Sequence, residues 1–386
     1  MLNFDFHNPT RIIFGKDRIA DIAKLVPSDA KVLILVGGAS AEKTGTLAEV
    51  RQALGERSHA TFSGIEPNPS FDNAMDAVKQ VRDGGFTFLL AVGGGSVIDA
   101  TKFIAAAALF EGDPWEILLS WGGKVTQALP FGTVLTLPAT GSEMNNGGVI
   151  TRRDISAKRP FRSDQVFPLF SVLDPTKTYT LPMSQIANGV VDAFVHTIEQ
   201  YLTYPANAPV QDRFAEGLLQ TLTEVGPRLL NATEPVYDDR ASLMWTATLA
   251  LNGLIGAGVP QDWATHMIGH ELTALHNIDH ARTLAIVLPS LLQERRVQKH
   301  EKLLQYGERV WGITNGTDEE RVTAAIEKTR AFFEQMGIPT RLKDYGLGAQ
   351  DIDKVVSQLE EHGMTQLGEQ RDITPAVSRR ILEAAL

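Results

Sequence analysis

FTFLLAVGGGSVIDATKFIAAAALF, residues 86–110, decides the fold. FTFLLAV is an apolar run of strand length, Gly93-Gly94-Gly95-Ser96 is a turn, and VIDATKFIAAAALF is a helix. Strand, glycine turn and helix in direct succession are the unit from which parallel α/β sheets are built. The same unit stands upstream. KVLILV (31–36) is a continuous apolar run, as a strand covered on both faces requires. Gly37-Gly38-Ala39-Ser40 follows it, and then a polar helix from about Glu42 to Leu54.

Outward from these two units the alternation continues. NPTRIIFG (8–15) predicts a short strand entering a turn, and KDRIADIAKLV (16–26) a helix. ATFSGI (60–65) is a further strand, and EPNPSF (66–71) breaks the chain before a helix from about Asn73 to Arg82. FGTVLTLP (131–138) is a strand ending in ATGSE, while VIT (149–151) and FPLFSVLD (167–174) supply later sheet or hairpin material. From Pro182 onward the pattern is almost wholly helical. With 386 residues the chain exceeds the size at which one core stops growing, so two domains are expected. The boundary falls near residue 180, in LDPTKTYTLP (173–182). This predicts an α/β dinucleotide-binding domain with a parallel sheet over 1–180 and an all-α, metal-binding domain over 181–386.

The glycine turns point to a nucleotide. Bare backbone at Gly94 and Gly95 lets a pyrophosphate approach, and the amides of the helix that follows can bind it, with Ser96 as cap or phosphate donor. The G-x-G-x-x-G fingerprint is incomplete, because Ile98 replaces its last glycine, and no Walker A pattern occurs. The turn alone is equally compatible with a simple chain reversal. The turn after the first long strand adds discrimination. A site selective for NAD puts an acid on the ribose 2′-OH, yet Gly37, Gly38 and Ser40 bring none, and Lys43 lies close behind. NADP(H) is therefore the expected cofactor.

Four metal-ligand types stand in two pairs in the helical half. Asp192 and His196 lie four apart in QIANGVVDAFVHTIEQYL (185–202), so a helix puts them on one face, one turn apart. His266 and His280 lie fourteen apart in HMIGHELTALHNIDH (266–280), nearly four turns, although Asn277 and Asp279 argue against an unbroken helix there. A carboxylate with imidazoles suits Zn²⁺ or Fe²⁺ better than Mg²⁺ or Ca²⁺. A lone Asp-x-x-x-His is usually a satisfied pair. Four of the nine histidines crowd into 266–280, however, in apolar surroundings where unpaired polar groups are costly. His270 and His276 belong to that crowd, and spacing does not settle which of the four are ligands.

Composition removes several classes of function. A hydrophobic content of 43% excludes wholesale disorder, and a formal net charge of −10 argues against nucleic acid as partner. There is no cysteine, which excludes disulfides and thiolate metal sites and points to the cytoplasm. MLNFDFHNPTR (1–11) has neither the basic region nor the apolar run of a signal peptide. ASLMWTATLALNGLIGAGVP (241–260) carries no charge, but its Ser, Thr, Asn and Gly content marks a buried core helix rather than a membrane span.

Taken together, GGGSVIDATK (93–102), TLPATGSE (136–143), NGVVDAFVHTIEQY (188–201) and HMIGHELTALHNIDHARTLAIVLP (266–289) resemble the iron-containing, group III alcohol dehydrogenases over nearly the whole chain. PNP (67–69), WATHM (263–267) with GHELTA after it, and EEHGMTQLGE (360–369) resemble the bacterial NADP-dependent butanol dehydrogenase and aldehyde reductase branch. The resemblance implies a nucleotide domain, a helical domain, and a cleft between them for metal and nicotinamide. It implies Asp192, His196, His266 and His280 as metal ligands and His270 as the catalytic, non-ligand histidine, with His276 given no role. On the cofactor side it implies Gly94, Gly95 and Ser96 at the pyrophosphate, with Asp99, Thr136, Thr140, Asn145 and Lys158 lining the site. Asp99 also reads as a first-turn acid favoured by the helix dipole, and Lys158 as part of a solvated hairpin. The implied chemistry is hydride transfer between NADP(H) and a short-chain alcohol or aldehyde, with Fe²⁺ or Zn²⁺ bound and a homodimer as the assembly. The rival readings are a metal-dependent hydrolase, a same-fold glycerol dehydrogenase or dehydroquinate synthase, and a non-catalytic assembly protein. HELTALH is not H-E-x-x-H, because its second histidine comes too late.

Overall fold

The computed structural model describes residues 1–386. Two compact units result. One comprises His7–Pro182 with Glu234–Thr248; the other comprises Met1–Phe6, Met183–Thr233 and Leu249–Leu386.

The first is the sheet unit. Its strands are β1 Arg11–Phe14, β2 Val32–Val36, β3 His59–Phe62, β4 Phe88–Gly94, β5 Phe131–Leu137, β6 Gly147–Arg152, β7 Ala157–Arg162 and β8 Phe170–Leu173. Six of them form one sheet in the order β1-β8-β5-β4-β2-β3, every pairing parallel. β2 is buried along its whole length because both faces are covered. Val32, Ile34 and Val36 pack in one core with Phe88, Leu90 and Val92, while Leu33, Leu35, Leu89 and Ala91 pack in another. That alternation is the period-two side-chain pattern of a strand, apolar on both sides.

The strand order places the nucleotide turns. The chain steps from β2 outward to β3, returns as β4 on the other side of β2, and continues to β5. β2 and β4 are therefore parallel neighbours at the point where the winding reverses, with Val36 opposite Val92. Their carboxyl ends run into Gly37-Gly38 and Gly94-Gly95, so the two glycine turns lie side by side where doubly wound sheets bind ligands. β6 and β7 form a separate antiparallel hairpin.

Three local expectations are corrected. The helix expected from Glu42 to Leu54 is two helices, Ser40–Lys43 and Thr46–Leu54, because Gly45 between them takes φ +79°. The helix expected over 16–26 is only a 3₁₀ turn, Arg18–Asp21, and one α turn, Ile22–Leu25. Asp17 is left-handed on one side of it, and on the other Pro27 forces Val26 into extended backbone. The helix expected within 241–260 runs Tyr237–Ala250 and stops. Gly253 and Gly258 at positive φ turn the chain beyond it, and no helix is long and apolar enough to cross a membrane.

The helical unit is built around Met183–Tyr201, whose residues from Ile186 to Tyr201 are all buried. This helix lies against Pro209–Asn231 and His280–Glu294. Phe194 anchors an aromatic cluster with Trp311, Phe332 and Phe333, ring centroids 5.3–6.4 Å away. The opposite face of the same helix carries Asp192 and His196.

Candidate functional site

In the helical unit Asp192 and His196 face the same way, with His196 Nε2 3.6 Å from Asp192 Oδ1. His266 lies in the helix Ala264–His276 and His280 opens the next helix, His280–Glu294. Asn277, left-handed at φ +53°, breaks the run between them, as its sequence suggested. The break folds His280 back toward His266. Gly269 permits the approach, since a Cβ there would meet Thr283 Oγ1 at 3.0 Å and Leu284 at 3.1 Å.

The result is a convergent donor set. Ligand atoms of Asp192, His196 and His266 all lie within 4.8 Å of one another, and His280 Nε2 is 3.8 Å from Asp192 Oδ1. The His196 and His266 rings stack at 4.6 Å, and the His266 and His280 centroids are 5.1 Å apart. Asp192 Oδ1 is buried without a hydrogen-bond partner, which is costly for a carboxylate oxygen unless a cation satisfies it. One carboxylate and three imidazoles at this spacing fit a divalent transition metal of the iron or zinc type.

His270 is buried one turn beyond His266, its ring 5.3 Å from that of His280. His276 lies in the last helical turn, and its Nε2 is 4.0 Å from Asp351 Oδ1. Burial lowers its pKa and Asp351 opposes that shift.

Sequence reading passed over Glu199. It stands at positions 0, 4 and 7 of one helical stripe with Asp192 and His196, a spacing that could have found it. Its Oε2 contacts His266 Nδ1, and its Oε1 accepts from Thr265 N at 2.7 Å. Trp263, left-handed at φ +62°, packs edge-on against His266 at 5.3 Å.

In the sheet unit Gly94 caps, and Gly95 begins, the helix Gly95–Ala107. A Cβ on Gly95 would lie 2.4 Å from Thr140 Oγ1, so glycine is required for the 138–141 loop to close on the helix start. Gly38 differs: a Cβ there would meet nothing within 4 Å. The protein itself gives no steric reason for glycine at 38. Gly37 is tighter, 3.2 Å from Ile65 O, and Ser40 is exposed at the start of its short helix. Thr136 stands near the end of β5.

A buried polar network holds the TGSE loop. Lys102 Nζ donates to Ser142 Oγ (2.8 Å), Asn145 Oδ1 (2.8 Å) and Gly147 O (2.6 Å). Three acceptors are the number an ammonium satisfies. Burial pulls Lys102 down to about 7, while Asp99 and Glu143 push it back up. Asp99 accepts from Ser142 Oγ (2.6 Å) and Val149 N (3.0 Å), and burial raises its pKa. Asp99 is thus bonded into this network, and it is not the first-turn acid that the sequence suggested: the helix starts at Gly95, which puts Asp99 in the second turn. Lys158 is buried, not on a solvated face, and reaches Asn68 Oδ1 of the PNP segment at 2.9 Å. Lys102 was not singled out from sequence, because a lysine in an apolar helix gives no sign of the loop it ties down.

Comparison with known proteins gives the family. The iron-containing alcohol dehydrogenase model matches residues 9–175. The Fe-containing alcohol dehydrogenase family C-terminal model matches residues 186–384. The NADPH-dependent aldehyde reductase YqhD of Escherichia coli (strain K12) is 61% identical over 387 residues, covering 100% of both chains. A probable NADH-dependent butanol dehydrogenase 1 of Bacillus subtilis (strain 168) is 38% identical over 391 residues, again covering 100% of both. The crystal structure of E. coli K-12 YqhD superposes with a TM-score of 0.99 at 60% identity, covering 100% of this chain and 99% of that one. With both halves matched and a relative this similar along the entire length, the chain belongs to the iron-containing alcohol dehydrogenase family.

Proposed function

We infer that this protein is a metal-dependent oxidoreductase that reduces short-chain aldehydes with NADPH, and oxidises the corresponding alcohols in reverse. The observation that carries the reading is the donor set of buried Asp192, His196 and His266 with half-buried His280, gathered around an unsatisfied carboxylate oxygen. It occurs in a chain 61% identical to an NADPH-dependent aldehyde reductase. Membership of a dehydrogenase family over both halves of the chain disfavours the hydrolase that the donor set alone would admit.

When bound, the cation supplies Lewis acidity toward a carbonyl oxygen and NADPH supplies the hydride. Asp192, His196, His266 and His280 hold the cation, and the carboxylate offsets part of its charge. His270 carries at its imidazole the proton that the reduced oxygen takes up. Gly94, Gly95 and Ser96 present backbone amides to the pyrophosphate. Asp99, Thr136, Thr140, Asn145 and Lys158 line the cofactor, and Gly37, Gly38 and Ser40 leave room for a 2′-phosphate. Residues 1–180 then carry the cofactor and 181–386 the metal. Iron follows from the family, and zinc shares its ligand preference. A homodimer rests on the resemblance of motifs, and a cytoplasmic address on the cysteine-free composition.

The test is cofactor oxidation over a panel of short aldehydes, with Zn²⁺ and Fe²⁺ added separately to metal-free protein and NADH run beside NADPH. Metal-restored turnover and tighter binding of NADPH than NADH are expected. Full activity without metal, or NADH bound more tightly, overturns the reading. Gly95→Ala is a second check, because the added methyl must displace Thr140. Such overpacking costs ~1–3 kcal/mol of stability, and because it shifts Thr140 and the start of the helix that would face the pyrophosphate, NADPH is expected to bind more weakly. Fluorescence titration of bound NADPH reads this directly.

A further inference from the structure

Glu199 touches the 262–266 segment at four points. Its Oε1 accepts from Thr265 N at 2.7 Å and from His266 N at 3.4 Å, its Oε2 contacts His266 Nδ1, and its backbone oxygen accepts from Asp262 N at 2.8 Å. Thr265 and His266 lie in the first turn of their helix, where backbone N–H groups lack intrahelical partners. One carboxylate therefore caps the helix with one oxygen and engages an imidazole with the other. The turn before the helix is fixed from the far side. Asp262 Oδ1 accepts from Ala264 N at 3.0 Å, and Asp262 Oδ2 is 2.8 Å from Lys299 Nζ.

We propose that Glu199 is a positioning residue for the metal centre: it holds the proton on His266 Nδ1 and so leaves Nε2 as the ligand atom. A neutral imidazole carries one N–H and one lone pair, and the partner on one nitrogen decides the role of the other. Carboxylates behind ligating histidines fix ring orientation and raise ligand basicity, and losing such a partner costs roughly 10–100-fold in metal affinity. Glutamine cannot replace glutamate here, because both oxygens accept. In Glu199→Gln the new amide must turn its NH₂ either toward the Thr265 N–H, losing the cap, or toward Nδ1, moving the ring proton to Nε2.

The inference rests on the ligand set proposed above, and its test separates the two. Zn²⁺ affinity of the full-length protein is measured by chelator competition for wild type, Glu199→Gln and His266→Ala, beside the thermal midpoint of each metal-free form. Glu199→Gln is expected to weaken Zn²⁺ binding roughly 10–100-fold, while its metal-free midpoint stays near wild type. An unchanged Zn²⁺ affinity in Glu199→Gln alone overturns the positioning role, as does a loss matched by a collapsed metal-free midpoint. An unchanged affinity in His266→Ala overturns the ligand set instead. Should Glu199→Gln not fold, ¹⁵N-histidine spectra of Zn²⁺-loaded wild type decide. A protonated Nδ1 with Zn²⁺ on Nε2 supports the inference, and the opposite tautomer refutes it.

Discussion

Replacing His266 with alanine is expected to remove the bound metal and to lower NADPH-dependent aldehyde reduction by ~10³-fold or more. A Lewis acid supplies several kcal/mol of transition-state stabilisation, and each 1.36 kcal/mol is about tenfold in rate. His266 is buried between His196, 4.6 Å away centroid to centroid, and His280 at 5.1 Å, so its loss takes one of the four proposed ligands from the middle of the set. His270→Ala, one turn along the same helix, gives the contrast. It is expected to retain metal yet lose ~10²–10⁴-fold in turnover, the range for a positioned general acid. Metal content by elemental analysis beside kcat distinguishes the two roles. If His270→Ala empties the site, His270 is a ligand. If His266→Ala keeps both metal and turnover, the proposed centre is wrong.

The sheet was legible because the physics that sets it is written locally. A strand covered on both faces must be apolar at every position, and VLILV can hardly be anything else. The order of strands was not legible, yet it is what sets the two glycine turns side by side. In the helical unit the i, i+4 spacing of Asp192 and His196 translated directly into one face. The 266–280 segment was legible only in part. Asn277 signalled the break, but the return of His280 toward His266 depends on Gly269 meeting Thr283, a tertiary contact that spacing does not encode. Lys102 and Glu199 were missed for a shared reason: each acts on a segment distant in sequence, 40 residues away for Ser142 and 67 for His266. The helix Ser40–Lys43 was missed because Gly45, at positive φ, outweighs helix propensity on either side.

Lys299→Met is expected to give the largest loss of stability, ~3–5 kcal/mol, as removing one partner from a buried ion cluster does. Lys299 has 1% of its side chain exposed, and its Nζ lies 2.8 Å from Asp262 Oδ2 and 2.8 Å from Glu369 Oε1. It also donates to Leu202 O at 2.6 Å, beyond the end of the helix that carries Asp192 and His196. Burial pulls its pKa down, but Asp262 and Glu369 more than offset this and hold it above the ordinary lysine value. Methionine matches the chain length and leaves two carboxylates, 3% and 5% exposed, without their counter-ion. For a cooperative unit of ~150–250 residues the loss corresponds to a thermal midpoint lower by roughly 6–20 °C. Adding Glu369→Gln to Lys299→Met removes one stranded charge and is expected to recover part of the drop. Asp262→Asn is the less informative partner, since Asp262 also caps Ala264. Calorimetry on metal-free protein isolates the effect from metal linkage, which otherwise adds its own stabilisation. A midpoint within about 2 °C of wild type, a shift of only ~1 kcal/mol, means that the cluster is not what holds the Asp262 turn, and a double variant no better than the single one means the cost lies in packing.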